Sequence, residues 1–257
     1  MRRIVDLSVP LKNGIKSDPP GHTPAIEYFD HTQTRDDMLQ FFPGATKEDL
    51  PDQEGWAIER VNLTTHAGTH LDAPYHFAST MDGGERALTI DEVPLEWCYQ
   101  RGVKLDFRNL PDGYVITPED VDRELERIGH KLEPLDIVVV NTAAGVRYGE
   151  DDYLARGVGM GREATLHLLR QGVRVTGTDA WSWDAPFTYT AERYERDHDA
   201  SIIWEGHRAG REIGYCHIEK LHNLESLPAS GFDIVCFPVK IEAASAGWTR
   251  VVAILHD

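Results

Sequence analysis

The stretch HAGTHLDAPYH, at residues 66–76, places three histidines and an aspartate within eleven residues. Neutral imidazoles and an ionised carboxylate bind a divalent cation when their ligand atoms converge on it from about 2.0–2.2 Å. His70 and Asp72 are two residues apart, so in a strand both side chains point to the same face. The stretch therefore predicts a metal site, and the alternative is a polar turn that happens to be rich in histidine.

Gly68 and Pro74 have defined tasks if the stretch binds a metal. In an extended chain His66 would lie about 13 Å from His70, which is too far for the two to share one ion. The chain must bend between them, and Gly68 is the residue where a bend costs least. Pro74 then restricts the exit of the chain, so that His76 can turn back towards the site. Because imidazole titrates near neutral pH, His76 is the candidate catalytic proton carrier.

The spacing of these residues excludes one kind of metal protein and leaves two alternatives open. A zincin is excluded, because Ala67 stands where the H-E-x-x-H motif requires a glutamate. A non-haem iron oxygenase could use His70 and Asp72 with a distant histidine, for which His130 is available. That alternative leaves two histidines of the stretch without a role. A third alternative is a non-catalytic protein in which the metal only staples a loop.

The composition is that of a globular protein and limits the partners to be expected. Of the 257 residues, 41% are hydrophobic and 27% are charged, which is typical of a globular chain. A formal net charge of −17 disfavours nucleic acid as a partner, because phosphate repels an acidic surface. The apolar runs are too short to cross a bilayer, and three scattered cysteines indicate reduced thiols. We expect a cytoplasmic protein with a small-molecule substrate, and neither nucleic acid nor membrane as partner.

Strand and helix patterns alternate along the chain, which predicts an α/β fold with a mixed sheet in one domain, 1–257. A strand over residues 3–11 precedes a loop rich in proline and glycine from Asn13 to Gly55. AIERVNLTTHAGTHLDAP is expected to run as a strand directly into the histidines. Thr117 as N-cap and Pro118 at the first position begin a helix. The remaining predicted elements are the strands GVKLDF, DIVVVNT, FDIVCFPVKI and TRVVAILHD, and a helix in GREATLHLLRQG that Gly172 ends.

Two tryptophans are candidates for binding a planar substrate. Trp181 and Trp183 flank Ser182 in GTDAWSWD, which follows a predicted strand. Ligands of α/β proteins often bind at such strand ends. Alternating tryptophans are equally typical of core and rim positions, so this interpretation has a structural alternative.

At these residues the sequence resembles the putative cyclase family of metal-dependent hydrolases, which includes bacterial kynurenine formamidases and isatin hydrolases. The family motif H-x-G-T-H-x-D-x-P-x-H is matched throughout residues 66–76. Three looser similarities follow in the expected order. They are VDLSVPLKNG with DLS-x-P-L-x-x-G, GTDAWSWD with G-x-D-x-x-S, and IEKLHNLESLP with EGL-x-NL-x-x-LP.

The resemblance implies a metal centre. It implies that His66, His70 and Asp72 bind a divalent ion, zinc or manganese. It also implies a second ion, bridged by the aspartate and held by a later histidine and glutamate twelve residues apart. His207 and Glu219 have this separation. One or two ions per subunit are therefore expected.

The resemblance also implies a fold and an activity. The fold is a swivelling β/β/α arrangement in a homodimer or homotetramer, here with a loop insert around residues 31–55. The activity is metal-dependent hydrolysis of a carbon–nitrogen bond other than a peptide bond, by water activated on the metal. The expected substrate is an aryl formamide resembling N-formylkynurenine. The alternative within the family is a cyclic amide of the isatin type, or a lactone.

Overall fold

A computed structural model describes residues 3–256. None of the helices in this range is long and apolar enough to cross a membrane. The strands are β1 (Arg3–Asp6), β2 (Ala25–Phe29), β3 (Ile58–Asn62), β4 (His70–Asp72), β5 (Thr80–Met81), β6 (Glu85–Arg86), β7 (Tyr99–Asp106), β8 (Val115–Ile116), β9 (Ile137–Asn141), β10 (Gly159–Met160), β11 (Val175–Thr178), β12 (Cys216–Glu219), β13 (Phe232–Val235), β14 (Ala246–Trp248) and β15 (Val252–Leu255). The helices are α1 (Arg35–Leu39), α2 (Pro74–Phe77), α3 (Pro118–Ile128), α4 (Arg162–Arg170), α5 (Phe187–Asp197) and α6 (Glu205–Arg208).

Nine of these strands form one mixed sheet. Their order is β1-β15-β13-β7-β9-β11-β12-β4-β14. The central strands β7, β9, β11 and β12 run parallel to one another, and the strands on either side pair antiparallel. The predicted α/β fold with a mixed sheet is confirmed.

Strand β9 shows why the sheet forms where it does. Its residues are buried on both faces, which accounts for the unbroken apolar run in DIVVVN. Ile137 and Val139 pack into the core that also contains residues of β4 and β12. Val138 and Val140 point the opposite way, into a second core that includes α3 and α4. The sheet therefore has apolar cores on both sides of its centre.

Helix α3 begins at the predicted residues, and a glycine ends it. The Thr117 hydroxyl accepts a hydrogen bond from the N–H of Asp120 at 3.3 Å, and the Asp120 carboxylate accepts one from the N–H of Thr117 at 2.9 Å. This reciprocal capping satisfies backbone donors that the first turn would leave unpaired. Gly129 then ends the helix in the left-handed conformation, with φ of 65°.

Two expectations about the first part of the chain are wrong. The predicted loop between Asn13 and Gly55 contains strand β2 and helix α1. The predicted strand leading into the histidines is broken, because β3 pairs with β2 in a separate hairpin while β4 lies in the main sheet. The hairpin residues are mostly exposed on both faces, so they lack the alternation of apolar and polar residues that would have identified β2.

The segment at residues 31–55 is held together by its own contacts. The N–H of Gly55 donates to the carbonyl of His31 at 2.8 Å. The ring of Phe41 meets Trp56 edge-on, with centroids 5.8 Å apart. Because its ends meet, the segment is a compact loop, and Phe41 packs against the tryptophan that follows it.

Candidate active site

The pairing of β4 with β12 places four polar side chains on one face of the sheet. In this antiparallel pair His70 lies opposite Glu219, and Asp72 lies opposite His217. Alternate residues of a strand share a face, so all four side chains project to the same side. Leu71, between the two β4 residues, is fully buried in the apolar core on the other side.

A tight turn before β4 brings His66 to the same place. Gly68 has φ of +63°, the left-handed conformation that glycine adopts without a steric penalty. The bend predicted at this residue is therefore present. The carbonyl of Gly68 lies 2.9 Å from His70 Nδ1 and accepts a hydrogen bond from its N–H, so that in the neutral imidazole Nε2 is the nitrogen with a lone pair for a metal.

Asp72 faces one group of ligand atoms with its Oδ1 oxygen. His66 Nδ1 lies 2.9 Å from this oxygen, and His70 Nε2 lies 3.2 Å from it. His70 Nε2 is also 3.4 Å from Glu219 Oε2. The first group of ligand atoms therefore comes from two histidines and two carboxylates.

The other oxygens of the same two carboxylates face a second group. Asp72 Oδ2 lies 4.0 Å from His207 Nε2 and 3.8 Å from His217 Nε2. Glu219 Oε1 lies 3.5 Å from His207 Nε2 and 3.0 Å from His217 Nε2. Each carboxylate thus borders two adjacent positions. We call the six residues together the ligand cluster: His66, His70, Asp72, His207, His217 and Glu219.

The donor set of the ligand cluster fits a divalent cation. His70 Nε2 and both oxygens of Asp72 are buried without a hydrogen-bond partner among the described residues. Such orphaned buried atoms are costly in a native protein unless something else binds them. Ligand atoms about 2.1 Å from a tetrahedral ion are separated by about 3.4 Å. The separations within the cluster, 2.9–4.0 Å, lie around this value.

Neighbouring charges dominate the electrostatics of the cluster. Burial by itself would lower histidine pKa values and raise carboxyl pKa values. Against burial, Asp72 and Glu219 raise the pKa of His70 to about 9. Likewise Asp184 and Glu219 raise the pKa of His207 to about 10. The pKa values of Asp72 and Glu219 are lowered well below their usual range by these histidines, in spite of burial. Protons and a divalent cation therefore compete for the same atoms.

His207 is held in place by Asp184. The Asp184 carboxylate accepts hydrogen bonds from the N–H of Gly206 at 2.7 Å and from the N–H of His207 at 3.1 Å. It also contacts His207 Nδ1, which directs Nε2 towards Asp72 and Glu219. A carboxylate behind a histidine in this way sets its tautomer and its orientation.

The motif GTDAWSWD supplies several parts of this region. Its first aspartate, Asp179, accepts a hydrogen bond from the N–H of Thr142 at 2.8 Å and so joins the ends of β9 and β11. Burial raises the pKa of Asp179 to about 7. Its second aspartate is Asp184. The motif therefore contributes to the site through the shape of the backbone and through the orientation of His207.

His76 lies beside the ligand cluster at the cavity. Helix α2 presents its imidazole so that Nε2 is 3.8 Å from Asp72 Oδ2. Its ring lies 4.1 Å from that of His66 and 5.1 Å from that of Trp204, centroid to centroid. Burial lowers the pKa of His76 to about 4, against the opposing charge of Asp72. The imidazole is therefore neutral near pH 7 and able to accept a proton.

A cavity of about 780 Å³ opens above the ligand cluster. Its floor includes His66, His76, His207 and Glu219. Its walls are mainly aromatic and apolar, and come from the loop around Asp18, from the GTDAWSWD motif and from the region of α5 and α6. The principal apolar lining residues are Pro19, Trp181, Phe187, Tyr194, Ile203 and Trp204.

The two candidate substrate-binding tryptophans are placed differently. Trp181 lines the cavity. Trp183 is 1% exposed, donates from Nε1 to the Thr165 hydroxyl at 3.0 Å, and belongs to the core beneath α4. Because Trp183 does not line the cavity, we no longer expect it to contact a substrate.

The structure adds residues that the sequence did not single out. His217 and Asp184 are remote from the histidine stretch, and neither was among the predicted site residues, although Asp184 ends the GTDAWSWD motif. The position of His217 two residues before Glu219 on one strand was the available signal, because such residues share a face. His130, the distant histidine of the oxygenase alternative, instead contacts Asp136 at 3.3 Å.

We expect Asp184→Asn to weaken metal binding by roughly 10–100-fold, because the amide no longer holds His207 as the carboxylate does. Affinity would be measured by competition with a chromogenic chelator. Asp152→Asn is the matched control, since Asp152 pairs with Arg147 and Arg156 in a part-exposed ion-pair group. Equal affinities for the two variants would contradict an orienting role for Asp184.

The sequence is similar to those of known enzymes. Kynurenine formamidase from Erythrobacter litoralis (strain HTCC2594) is 26% identical over 239 residues, covering 87% of this chain and 92% of that protein. The enzyme of the same name from Salinibacter ruber is 27% identical over 208 residues, covering 80% and 82%.

Solved structures give the same picture of the fold. Isatin hydrolase A from Labrenzia aggregata, bound to benzyl benzoate, superposes with a TM-score of 0.72 at 23% identity, covering 100% of this chain and 94% of that one. An isatin hydrolase bound to the product analogue thioisatinate gives a TM-score of 0.71 at 20% identity, covering 100% of this chain and 93% of that one.

Residues 5–185 match the family described as "Putative cyclase". The chain therefore belongs to the putative cyclase family of metal-dependent hydrolases.

Proposed function

We propose that this protein is a metal-dependent amidohydrolase that cleaves the carbon–nitrogen bond of an aryl formamide or of a related cyclic amide. The observation that carries the proposal is a buried cluster of histidines and carboxylates at the floor of an aromatic cavity. The first substrate class is supported by relatives named kynurenine formamidase. The second is supported by structural neighbours named isatin hydrolase.

The ligand cluster would hold zinc or manganese. His66, His70 and Asp72 would hold one ion, with Glu219 close by. Where a second ion is present, His207 and His217 would hold it, with Asp72 and Glu219 shared between the two positions. When bound, such a cation lowers the pKa of water and polarises a carbonyl oxygen.

The proton transfers are assigned to His76. Hydrolysis joins the oxygen of water to the carbonyl carbon, breaks the carbon–nitrogen bond, and moves one proton from water to the departing nitrogen. His76 borders both the ligand cluster and the open cavity, so its imidazole can take that proton and then deliver it. The products are an amine and a carboxylic acid, which becomes a carboxylate by releasing its remaining proton to solvent. The two groups are joined in one molecule when the substrate is cyclic.

Purified protein stripped of metal and reloaded with zinc or manganese tests this function. We expect the loaded protein to release formate from N-formylkynurenine or to open the ring of isatin, and the stripped protein to do neither. Asp72→Ala should lose both metal and turnover. A loaded protein inactive on aryl formamides, isatin and other cyclic amides would overturn the proposal. Oxygen consumption after loading with ferrous iron would support the oxygenase alternative.

His76→Ala should lower kcat by about 10²–10⁴-fold while the metal content stays near that of the unmodified protein, because His76 moves a proton. The comparison is made at saturating metal and substrate. His167→Ala is the control, since His167 pairs with Asp122 at the surface. A kcat within a few-fold of the unmodified protein would show that another group carries the proton.

Homodimer or homotetramer assembly stays a prediction, and the β2–β3 hairpin is a candidate surface for it. Tyr28 and Val61 are 61% and 51% exposed, and by the register of the hairpin they share one face. A two-stranded hairpin outside a larger sheet is at best marginally stable by itself. We propose that a second copy of the chain covers this face.

Light scattering of the purified protein tests the assembly. We expect an oligomer for the unmodified chain, and a shift towards monomer for Val61→Asp, because the new charge would be buried at the contact. Val146→Asp is the matched control, since Val146 is an exposed valine outside the hairpin. A monomeric unmodified chain would contradict the prediction of a homo-oligomer, and an unchanged Val61→Asp oligomer would move the interface elsewhere.

A further inference from the structure

A buried ion pair joins the wall of the cavity to its floor. The ammonium of Lys220 donates to the carboxylate of Asp18 and to the carbonyl of His66, the latter at 2.8 Å. Asp18 also accepts a hydrogen bond from Trp181 Nε1 at 3.4 Å. The side chains of Lys220 and Asp18 are 1% and 5% exposed. The only ammonium at the cavity among the described residues therefore already has a counter-ion.

The backbone of Lys220 is held in an uncommon conformation to make this pair. Its φ is +57°, a region that residues with side chains enter rarely. The N–H of Lys220 donates to the carbonyl of Ala180 at 3.1 Å, and its carbonyl accepts from the Thr69 hydroxyl at 2.8 Å. Lys220 therefore keeps a left-handed backbone conformation that a glycine would adopt at lower cost.

The charges around the cavity limit what it can accept. Lys220 is the one lysine or arginine among the described lining residues, and Asp18 and Glu219 are the carboxylates. Along the wall, away from the ligand cluster, a substrate carboxylate with no cation of its own would lose its hydration against aromatic side chains without gaining a partner. The formal net charge of −17 disfavours an anionic substrate further.

We infer that Asp18, by neutralising Lys220, makes the cavity selective for aromatic amides without a net charge over anionic aromatic amides. The inference rests on the proposed function, because it concerns the substrates of that same site. Asp18 and Lys220 then determine specificity together. Asp18 removes the charge that would otherwise attract an anionic substrate, and Lys220 holds the Asp18 loop against the carbonyl of His66.

Two probes of matched size test the selectivity: 4-formamidobenzamide, which is neutral, and 4-formamidobenzoate, which is anionic. The para position keeps the carboxylate away from the formamide that must reach the floor. We expect kcat/KM to be at least about 10-fold lower for the benzoate, because its charge is desolvated without a partner. Equal values, or a higher value for the benzoate, would overturn the inference.

Two variants separate charge selection from a merely structural role. Asp18→Asn leaves the Lys220 ammonium without its counter-ion, so the benzoate-to-benzamide ratio of kcat/KM should rise by about 10-fold. Asp18→Asn combined with Lys220→Met removes both charges and should return the ratio towards that of the unmodified protein. A structural role alone would lower both rates together. An unchanged ratio in folded, metal-loaded Asp18→Asn protein would overturn the assignment.

The failure of the proposed function is distinguishable from the failure of this inference. The proposed function is decided separately, by turnover of N-formylkynurenine, isatin and other cyclic amides. If neither probe is hydrolysed, calorimetric titration of the same two probes still measures the preference for charge. A Kd for the benzoate about 10-fold weaker than that for the benzamide supports the inference, and equal Kd values overturn it. If Asp18→Asn does not fold, the two probes still test with the unmodified protein whether the cavity discriminates against an anionic substrate.

Discussion

The register between β4 and β12 is the constraint on which the site depends. It sets His70 opposite Glu219 and Asp72 opposite His217, and it turns all four side chains to one face. A slip of one residue in either strand would move that strand's polar pair to the opposite face. Burial of Leu71 and Ile218, worth about 1.5–3 kcal/mol each, opposes such a slip. The hydrophobic effect thus positions the polar groups of the site.

The same arrangement buries two carboxylates close together, and the residues around them compensate their charge. Asp72 and Glu219 are buried side by side, and two carboxylates repel each other strongly in such a place. Histidines lie between and around their oxygens, and their charge can be exchanged for that of a divalent cation. Behind them Asp184 orients His207, and at the wall the charge of Lys220 is matched by Asp18. Charges are therefore paired from the floor of the cavity to its rim.

The proposed chemistry and the proposed selectivity depend on different parts of the chain. The floor is built on paired strands and on the turn at Gly68, which are rigid and leave little freedom for variation. The wall comes largely from loops and short helices, namely the segment around Asp18 and the region of Phe187 to Trp204. This division is consistent with relatives that are named for different substrates. Binding residues on loops can change while a rigid scaffold keeps the reacting groups in place.

Much of the local structure could be predicted from sequence, because its causes lie within a few residues. The caps of α3, the apolar run of β9 and the bend at Gly68 each depend on neighbouring residues. Strand β2 could not be predicted, because its partner begins about 30 residues later and neither face is buried enough to impose an apolar pattern.

The sequence by itself determined the chemistry of residues 66–76 and the likeness to one family. The motif is local, and its histidines, aspartate and glycine have distinct physical tasks. Only the tertiary structure decided that His217 and Asp184 belong to the site, that Trp183 belongs to the core, and that Lys220 meets Asp18 across about 200 residues of chain. The physical reason is that strand register and loop docking depend on burial summed over distant residues, and no short stretch of sequence contains that sum.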